Sequence, residues 1–179
     1  LYNQAALAMA YLHAYQLTEA AEYRDAARGI FAFVQGVMTD PQGGFYSALD
    51  SETDGVEGLY YLWTKEEIRQ ALGTDADRFL AVYDLAPMPE GDKGVLYMPR
   101  SLAEVAAAQG MTAADLDRRL APLRLRLLQV RQQRPRPLID TKVLSGWSGL
   151  MIDAYAYGCR VLGDAEYLTA ARRAATFVL

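Results

Sequence analysis

Residues 7–34 read LAMAYLHAYQLTEAAEYRDAARGIFAFV, and residues 151–178 read MIDAYAYGCRVLGDAEYLTAARRAATFV. Set side by side without a gap, they match at a constant offset: Tyr11 with Tyr155, Leu17 with Val161, Glu22-Tyr23 with Glu166-Tyr167, Ala26-Ala27-Arg28 with Ala170-Ala171-Arg172, and Phe33-Val34 with Phe177-Val178. Self-similarity of this kind is the mark of a repeat architecture. Each copy is a stretch of helical period, a short break at Thr18-Glu19-Ala20 or Gly163-Asp164, and a second helical stretch, which together make an αα-hairpin.

The two helices of a hairpin differ. Leu1 to Leu17 carries Leu7, Met9, Tyr11, Leu12, Tyr15 and several alanines around its circumference, the pattern of an inner helix buried on nearly every side. Its partner keeps Tyr23, Ala27, Ile30, Phe33 or Val34, and Val37 on one stripe, with Arg24, Asp25 and Arg28 opposite, as an outer helix does. Buried first helices followed by amphipathic second helices describe a two-layer array, an α-solenoid if open and an α/α toroid if closed. Positions 1–17 and 147–162 are expected to be adjacent inner helices.

The interposed region is of another kind. Asp40-Pro41-Gln42-Gly43-Gly44 is a turn, and Phe45 to Leu49 and Leu59 to Trp63 read as two strands of a small β-hairpin joined by the acidic loop 50–58. Thr64 with Glu67 opens a short helix ending at Gly73, and Thr74 with Asp77 opens another through Leu85. Pro87, Pro89, Gly91 and Gly94 predict a loop. Ser101 with Glu104 and Thr112 with Asp115 cap two more helices, the second with Leu116, Leu120, Leu123, Leu127 and Val130 on one stripe, and Arg134-Pro135-Arg136-Pro137 stops it. The expected organisation is one partial α/α-toroid domain over 1–179: a helical hairpin at 1–38, a β-hairpin and short helices at 43–133, and a helical hairpin at 141–179.

Composition narrows the function classes. At 179 residues, 52% hydrophobic, the chain can bury a sizeable core, and a net charge of -4 argues against a nucleic-acid backbone as partner. No apolar run approaches the roughly 20 residues that span a bilayer. One cysteine, Cys159, and one histidine, His13, make neither a disulfide nor a thiolate or imidazole metal site, so a reducing, cytoplasmic compartment is expected, with no metal and no cofactor. The seven arginines from Arg118 to Arg136, with no acidic residue among them, read as a solvated helix face or a contact to another domain. Leu1 already sits in a helical pattern and Phe177-Val178-Leu179 carries no stop signal, so the chain reads as part of something longer.

Two constellations could carry chemistry. Asp50, Glu52, Asp54 and Glu57 crowd four carboxylates into one loop. Its start approaches a calcium loop, but Tyr61 stands where the bidentate twelfth-position glutamate belongs, so no useful calcium affinity is expected. Either one or two of these carboxylates face a pocket as acid, base or hydroxyl acceptor, or the segment is a solvated acidic turn. The second constellation, Asp140-Thr141-Lys142 through Trp147, stands at the mouth of the second inner helix, where free backbone N–H groups bind anionic or hydroxyl groups. Trp147 offers a stacking face for a sugar; the structural alternative is a helix cap with a core tryptophan and an Asp140–Lys142 ion pair.

Three ordered stretches resemble a known family: Leu1-Tyr2-Asn3-Gln4-Ala5; Gly43-Gly44-Phe45-Tyr46-Ser47-Ala48-Leu49-Asp50 through Glu57-Gly58-Leu59-Tyr60-Tyr61-Leu62-Trp63-Thr64; and Arg134-Pro135 followed by Asp140-Thr141-Lys142-Val143-Leu144 and Trp147-Ser148-Gly149-Leu150-Met151-Ile152. They are similar to the thioredoxin-domain-containing, spermatogenesis-associated proteins and their bacterial relatives. The resemblance implies the opening part of a C-terminal α/α toroid, similar to six-hairpin glycosidases and N-acylglucosamine epimerases, attached to a thioredoxin-like domain. This chain has Asn3 and Ser148 where the family commonly has Asp and Asn.

Two functions follow. One is carbohydrate processing or binding, glycosidase-like or sugar-epimerase-like in the full-length protein and absent from the fragment alone. Its catalytic carboxylates would be Asp50, Glu57 and Asp140, with Trp63, Lys142, Trp147 and Tyr46 binding substrate. The other is a non-catalytic scaffold or client-binding module serving the thioredoxin-like domain. Two carboxyl groups facing one cavity at roughly 5–10 Å would favour the first. A ring missing most of its hairpins would expose apolar faces such as Leu7, Tyr11, Tyr155 and Val161, so self-association of the fragment is expected.

Overall fold

The computed structural model describes residues 1–88 and 92–179; Pro89 and Gly91 of the expected loop lie outside the described residues. In chain order the helices are α1 (Tyr2–Thr18), α2 (Ala21–Val37), α3 (Lys65–Leu72), α4 (Ala76–Leu80), α5 (Leu102–Ala108), α6 (Ala113–Gln132), α7 (Ser145–Leu162) and α8 (Ala165–Val178). The strands are short: β1 (Ala48–Leu49), β2 (Glu52–Thr53), β3 (Val56–Glu57), β4 (Asp84–Pro87), β5 (Gly94–Tyr97) and β6 (Ile139–Asp140). The fold is mainly α with small antiparallel sheets, and the chain divides into two compact units.

The first unit, Leu1–Asp50 with Leu138–Leu179, holds both copies of the repeat. Each copy is a helical hairpin, and the breaks between helices are the same device at the same place. Glu19 takes φ 57 and donates its N–H to the Tyr15 carbonyl at 2.7 Å; Gly163, its counterpart, takes φ 73 and donates to Cys159 at 2.9 Å. A left-handed residue at this position closes a helix end, and it costs glycine nothing while a residue with a Cβ is strained. Glu19→Gly should therefore raise thermal stability, by about 0.5–1 kcal/mol, in a denaturant titration. A variant less stable than the parent would show that the Glu19 side chain contributes more than its backbone costs.

α1 and α7 lie side by side, as expected, and they run parallel. Tyr2 meets Trp147 near the two N-termini with ring centroids 4.9 Å apart, and the Tyr157 hydroxyl reaches His13 Nδ1 at 3.1 Å and Gln16 Oε1 at 2.5 Å further along. Between the hairpins the core is aromatic: Phe31, Phe45, Tyr155 and Tyr167 pack with neighbouring ring centroids 4.6–5.9 Å apart.

Three expectations are corrected here. The burial of α1 is one stripe, Ala5, Ala8 and Leu12, while Leu7 is 47% and Leu17 87% exposed, because α2 and α7 cover only part of its circumference. Tyr155 does not lie on a cut edge: it is fully buried and its hydroxyl donates to the Phe31 carbonyl at 2.8 Å. On α2 Val34, one of the two residues expected at its place in the stripe, is fully buried, Phe33 is only partly covered, and the buried aromatic is Phe31, outside the expected stripe.

The expected β-hairpin does not form as read. Phe45 to Leu49 finds its partner far along the chain: Ala48 pairs with Asp140 and Leu49 with Ile139, Ser47 N donates to Asp140 O at 3.1 Å, and Asp50 N donates to Leu138 O at 2.8 Å. Residues 58–61 are a turn, its Gly58 carbonyl accepting from Tyr61 N and Leu62 N.

The second unit, Ser51–Pro137, begins with a hairpin of its own. β2 pairs with β3, and the two loop residues between them, Asp54 and Gly55, have φ 53 and 76. Asp-Gly in a two-residue loop matches the right-handed strand twist with both φ positive. The capping boxes at Thr64–Glu67 and Ser101–Glu104 are formed, and Thr112 caps α6. The helix expected from Thr74 through Leu85 is instead a 3-10 turn at Gly73–Asp75 followed by α4. The expected 87–94 loop is narrower: Pro87 pairs with Gly94 as the last rung of the β4–β5 ladder. Ile68, Phe79, Val82, Val105, Leu116, Leu120 and Leu127 form the core.

The arginine run divides: Arg118, Arg119, Arg126 and Arg136 are exposed, as a solvated face would have them, while Arg124, Arg131 and Arg134 are partly buried. Arg126 donates to the Ala71 carbonyl, and Arg124 to Tyr83 Oη at 3.3 Å and Asp117 Oδ1 at 2.7 Å. Arg134 donates to the carbonyls of Tyr60 and Leu62.

Candidate functional site

Within the first unit, the β1–β6 ladder delivers Asp140 to the approach of α7. Its carboxylate accepts the Lys142 backbone N–H at 3.2 Å and faces the Lys142 ammonium at 3.2 Å, so the ion pair anticipated from the sequence is present. Asp140 is held below the usual carboxylate range first by that backbone N–H, and then, against some burial, by the Lys142 side chain and the Ser47 hydroxyl. It is therefore an anion across neutral pH, suited to accept hydrogen bonds and unsuited to deliver a proton.

Trp147 stands in the first turn of α7, partly buried, and tilts against Tyr2 of α1, which is itself exposed. The N-cap of α7 is Leu144, and no side chain among the described residues caps that end, so its first N–H groups are left to solvent or ligand. The helix-cap alternative is thereby not what Asp140 does; its hydrogen bond goes to Lys142, ahead of the helix. Ser148, one residue beyond Trp147, is fully buried, and its Oγ has no hydrogen-bond partner among the described residues. Tyr46 belongs to the same unit, but its hydroxyl donates to Asp40 Oδ2 at 3.1 Å. Asp50, exposed, ends the β1 segment.

The remaining sequence candidates belong to the second unit. Glu57 is exposed on β3, directly opposite Glu52. Trp63 is 3% exposed, backbone-paired to Gly94 in both directions, and carries the Arg134 guanidinium 4.1 Å from its ring centroid. A ligand could stack on that face only by displacing the arginine. The structure thus gathers Asp140, Lys142 and Trp147 along one short stretch leading into α7. Two contributors were missed in the sequence: Tyr2, whose signal was an aromatic at the start of the parallel inner helix, and Ser47, which carried none.

No family model matches the chain. The chain is 33% identical over 205 aligned positions to spermatogenesis-associated protein 20 of Homo sapiens, covering 99% of this chain and 26% of that protein. The protein of the same name from Mus musculus is 30% identical with the same coverage, and an uncharacterized protein of Caenorhabditis elegans is 26% identical, with 28% of its length covered. The chain spans about a quarter of the length of the curated relatives it matches. Likeness along the full chain supports the family named for those homologues.

Proposed function

We propose that this chain is a segment of a protein of the spermatogenesis-associated protein 20 family, that its hairpins belong to a glycosidase-like α/α toroid attached to a thioredoxin-like domain, and that the Asp140–Trp147 stretch binds a hydroxyl-rich small molecule, a carbohydrate, without cleaving it. The toroid reading rests on the tandem hairpins with parallel inner helices. The observation that carries the binding reading is the Asp140 anion, paired with Lys142 a few residues ahead of the uncapped start of α7, in whose first turn Trp147 packs against Tyr2. A carboxylate acceptor, free helix N–H donors and an aromatic face are what a sugar's hydroxyls and apolar ring face require.

Hydrolysis makes a different demand. A glycosidase needs one carboxyl group kept protonated near neutral pH and a second carboxylate opposite it. Asp140 is shifted in the opposite direction.

Titration with a panel of neutral mono- and disaccharides, followed by backbone amide shifts, should move Lys142, Ser145, Gly146 and Trp147. Asp140→Asn and Trp147→Ala should each weaken binding by about tenfold, in keeping with one charge-assisted hydrogen bond and one stacking face. Because the Asp140 carboxyl is held low, binding should fade at a lower pH than an unperturbed aspartate would give. Release of reducing sugar by the full-length parent, lost in Asp140→Asn, would replace binding by catalysis; no shift with any sugar would leave the site without its ligand and sink the reading.

The exposure of Tyr2, Leu7 and Leu17 on α1 and Leu150 on α7 favours a second reading, a non-catalytic surface serving the thioredoxin-like domain. Light scattering of the chain alone, and with that domain added, separates self-association from domain capture.

A further inference from the structure

The geometry points to a second small-molecule site, wholly within the second unit: a cavity of about 260 Å³ that takes a small monocarboxylate with an aromatic or branched aliphatic body, its carboxylate held by Arg131.

The cavity is walled by Trp63, Phe79, Tyr83 and Leu96 on one side and by one stripe of α6 on the other. That stripe is Arg124, Leu127, Leu128 and Arg131, spaced i, i+3, i+4, i+7, so an apolar centre lies between two guanidinium groups on a single helix face. The two arginines are not equivalent. Arg124 is already neutralised by Asp117 at 2.7 Å and hydrogen-bonded to Tyr83 at 3.3 Å. Arg131 forms no ion pair with any described carboxylate; its guanidinium carbon lies 5.5 Å and 5.3 Å from the ring centroids of Tyr60 and Tyr61. Its Nε is buried with no hydrogen-bond partner among the described residues.

The Nε is closed off from a ligand, so the donors left to an acceptor are the two terminal nitrogens of Arg131, whose fork matches a carboxylate in two parallel hydrogen bonds. Ring faces attract the cation but accept nothing from Nε. One open positive charge selects one negative charge. The cavity is slightly smaller than the roughly 300–1,000 Å³ of drug-sized sites, and its walls are aromatic and aliphatic, so the rest of the ligand is compact and apolar. A sugar is the wrong ligand here, because hydroxyl groups would meet Leu96, Leu127, Leu128 and Phe79 without partners.

The test uses the full chain carrying Trp147→Phe, which leaves Trp63 as its only tryptophan and places the reporter in the cavity wall. Phenylacetate should change Trp63 emission saturably and bind about tenfold or more tightly than 2-phenylethanol, its near-isosteric neutral counterpart. Arg131→Gln should erase that preference. Leu128→Phe, at an exposed position of the same stripe, should narrow the cavity and abolish binding of both probes without adding a tryptophan; it decides the matter if Arg131→Gln fails to fold. Equal affinity for the two probes, no saturable change with phenylacetate, or binding untouched by Leu128→Phe would overturn the assignment.

Discussion

Phe31→Ala should destabilise the first unit by about 3–5 kcal/mol, a large share of the roughly 5–15 kcal/mol that holds a domain folded. The side chain is fully buried, and its ring lies 4.6 Å from those of both Tyr155 and Tyr167, one on each helix of the second hairpin. It also approaches α7 so closely that a Cβ at Gly158 would fall 2.6 Å from its ring. Phe31 is thus the piece by which the first hairpin grips the second, and truncation leaves a cavity that rigid helices on both sides cannot close. Chemical denaturation, with amide exchange at Leu12 and Tyr155 as local readout, measures the loss. Protection of α1 and α7 that survives Phe31→Ala would mean that the aliphatic contacts alone unite the hairpins. Gly158→Ala should act in the same direction but more weakly, since the clash is partly offset by alanine's better helix propensity.

The pairing of the two hairpins was legible because a constant sequence offset became a constant spatial relation. Tyr157 meets His13 across the offset that aligns the repeats, and Gly163 repeats the backbone of Glu19. What failed was the part governed by long-range pairing. Nothing local in Phe45–Leu49 says that its partner is Ile139–Asp140, some 90 residues on (93 from Ser47 to Asp140). The Asp54-Gly55 turn is a local signal, masked by the acidic side chains around it. The depth of helix α1 was overread for a related reason: an apolar circumference states what a helix could bury, and neighbours decide how much it does. At the site, Asp140, Lys142 and Trp147 were readable from proximity in sequence, whereas Ser47 reaches Asp140 only through the β1–β6 ladder. The Trp63 ring is visible in the sequence, and only the fold places Arg134 across it.

Arg134→Ala should destabilise the second unit by about 3 kcal/mol, although Arg134 sits in a loop, three residues before Pro137. Its side chain is 17% exposed and ties four groups together: the carbonyls of Tyr60 at 3.2 Å and Leu62 at 2.5 Å, the Glu67 carboxylate at 3.4 Å, and the ring of Trp63. Through them it fastens the end of α6 to the turn before α3. Removing it leaves two carbonyls short of a donor and uncovers a tryptophan. Arg134→Lys should restore less than half the loss, because an ammonium can neither span two carbonyls and a carboxylate nor lie flat on an indole. Acid should narrow the gap between parent and Arg134→Ala. Burial tends to raise the Glu67 carboxyl, but the Thr64 N–H, Lys93 and Arg134 outweigh it and hold Glu67 below the ordinary range. A carboxyl depressed in the folded state contributes its stability fully above the ordinary glutamate value of about 4.3, and loses it as pH falls towards the folded value. The Arg134 share of that contribution disappears with it, while the lost carbonyl bonds and stacking do not titrate. Trp63 emission in the Trp147→Phe background follows the unfolding of this unit at each pH. A penalty for Arg134→Ala below about 1 kcal/mol at neutral pH would reduce the arginine to an exposed ion pair, and a penalty independent of pH would remove Glu67 from the network.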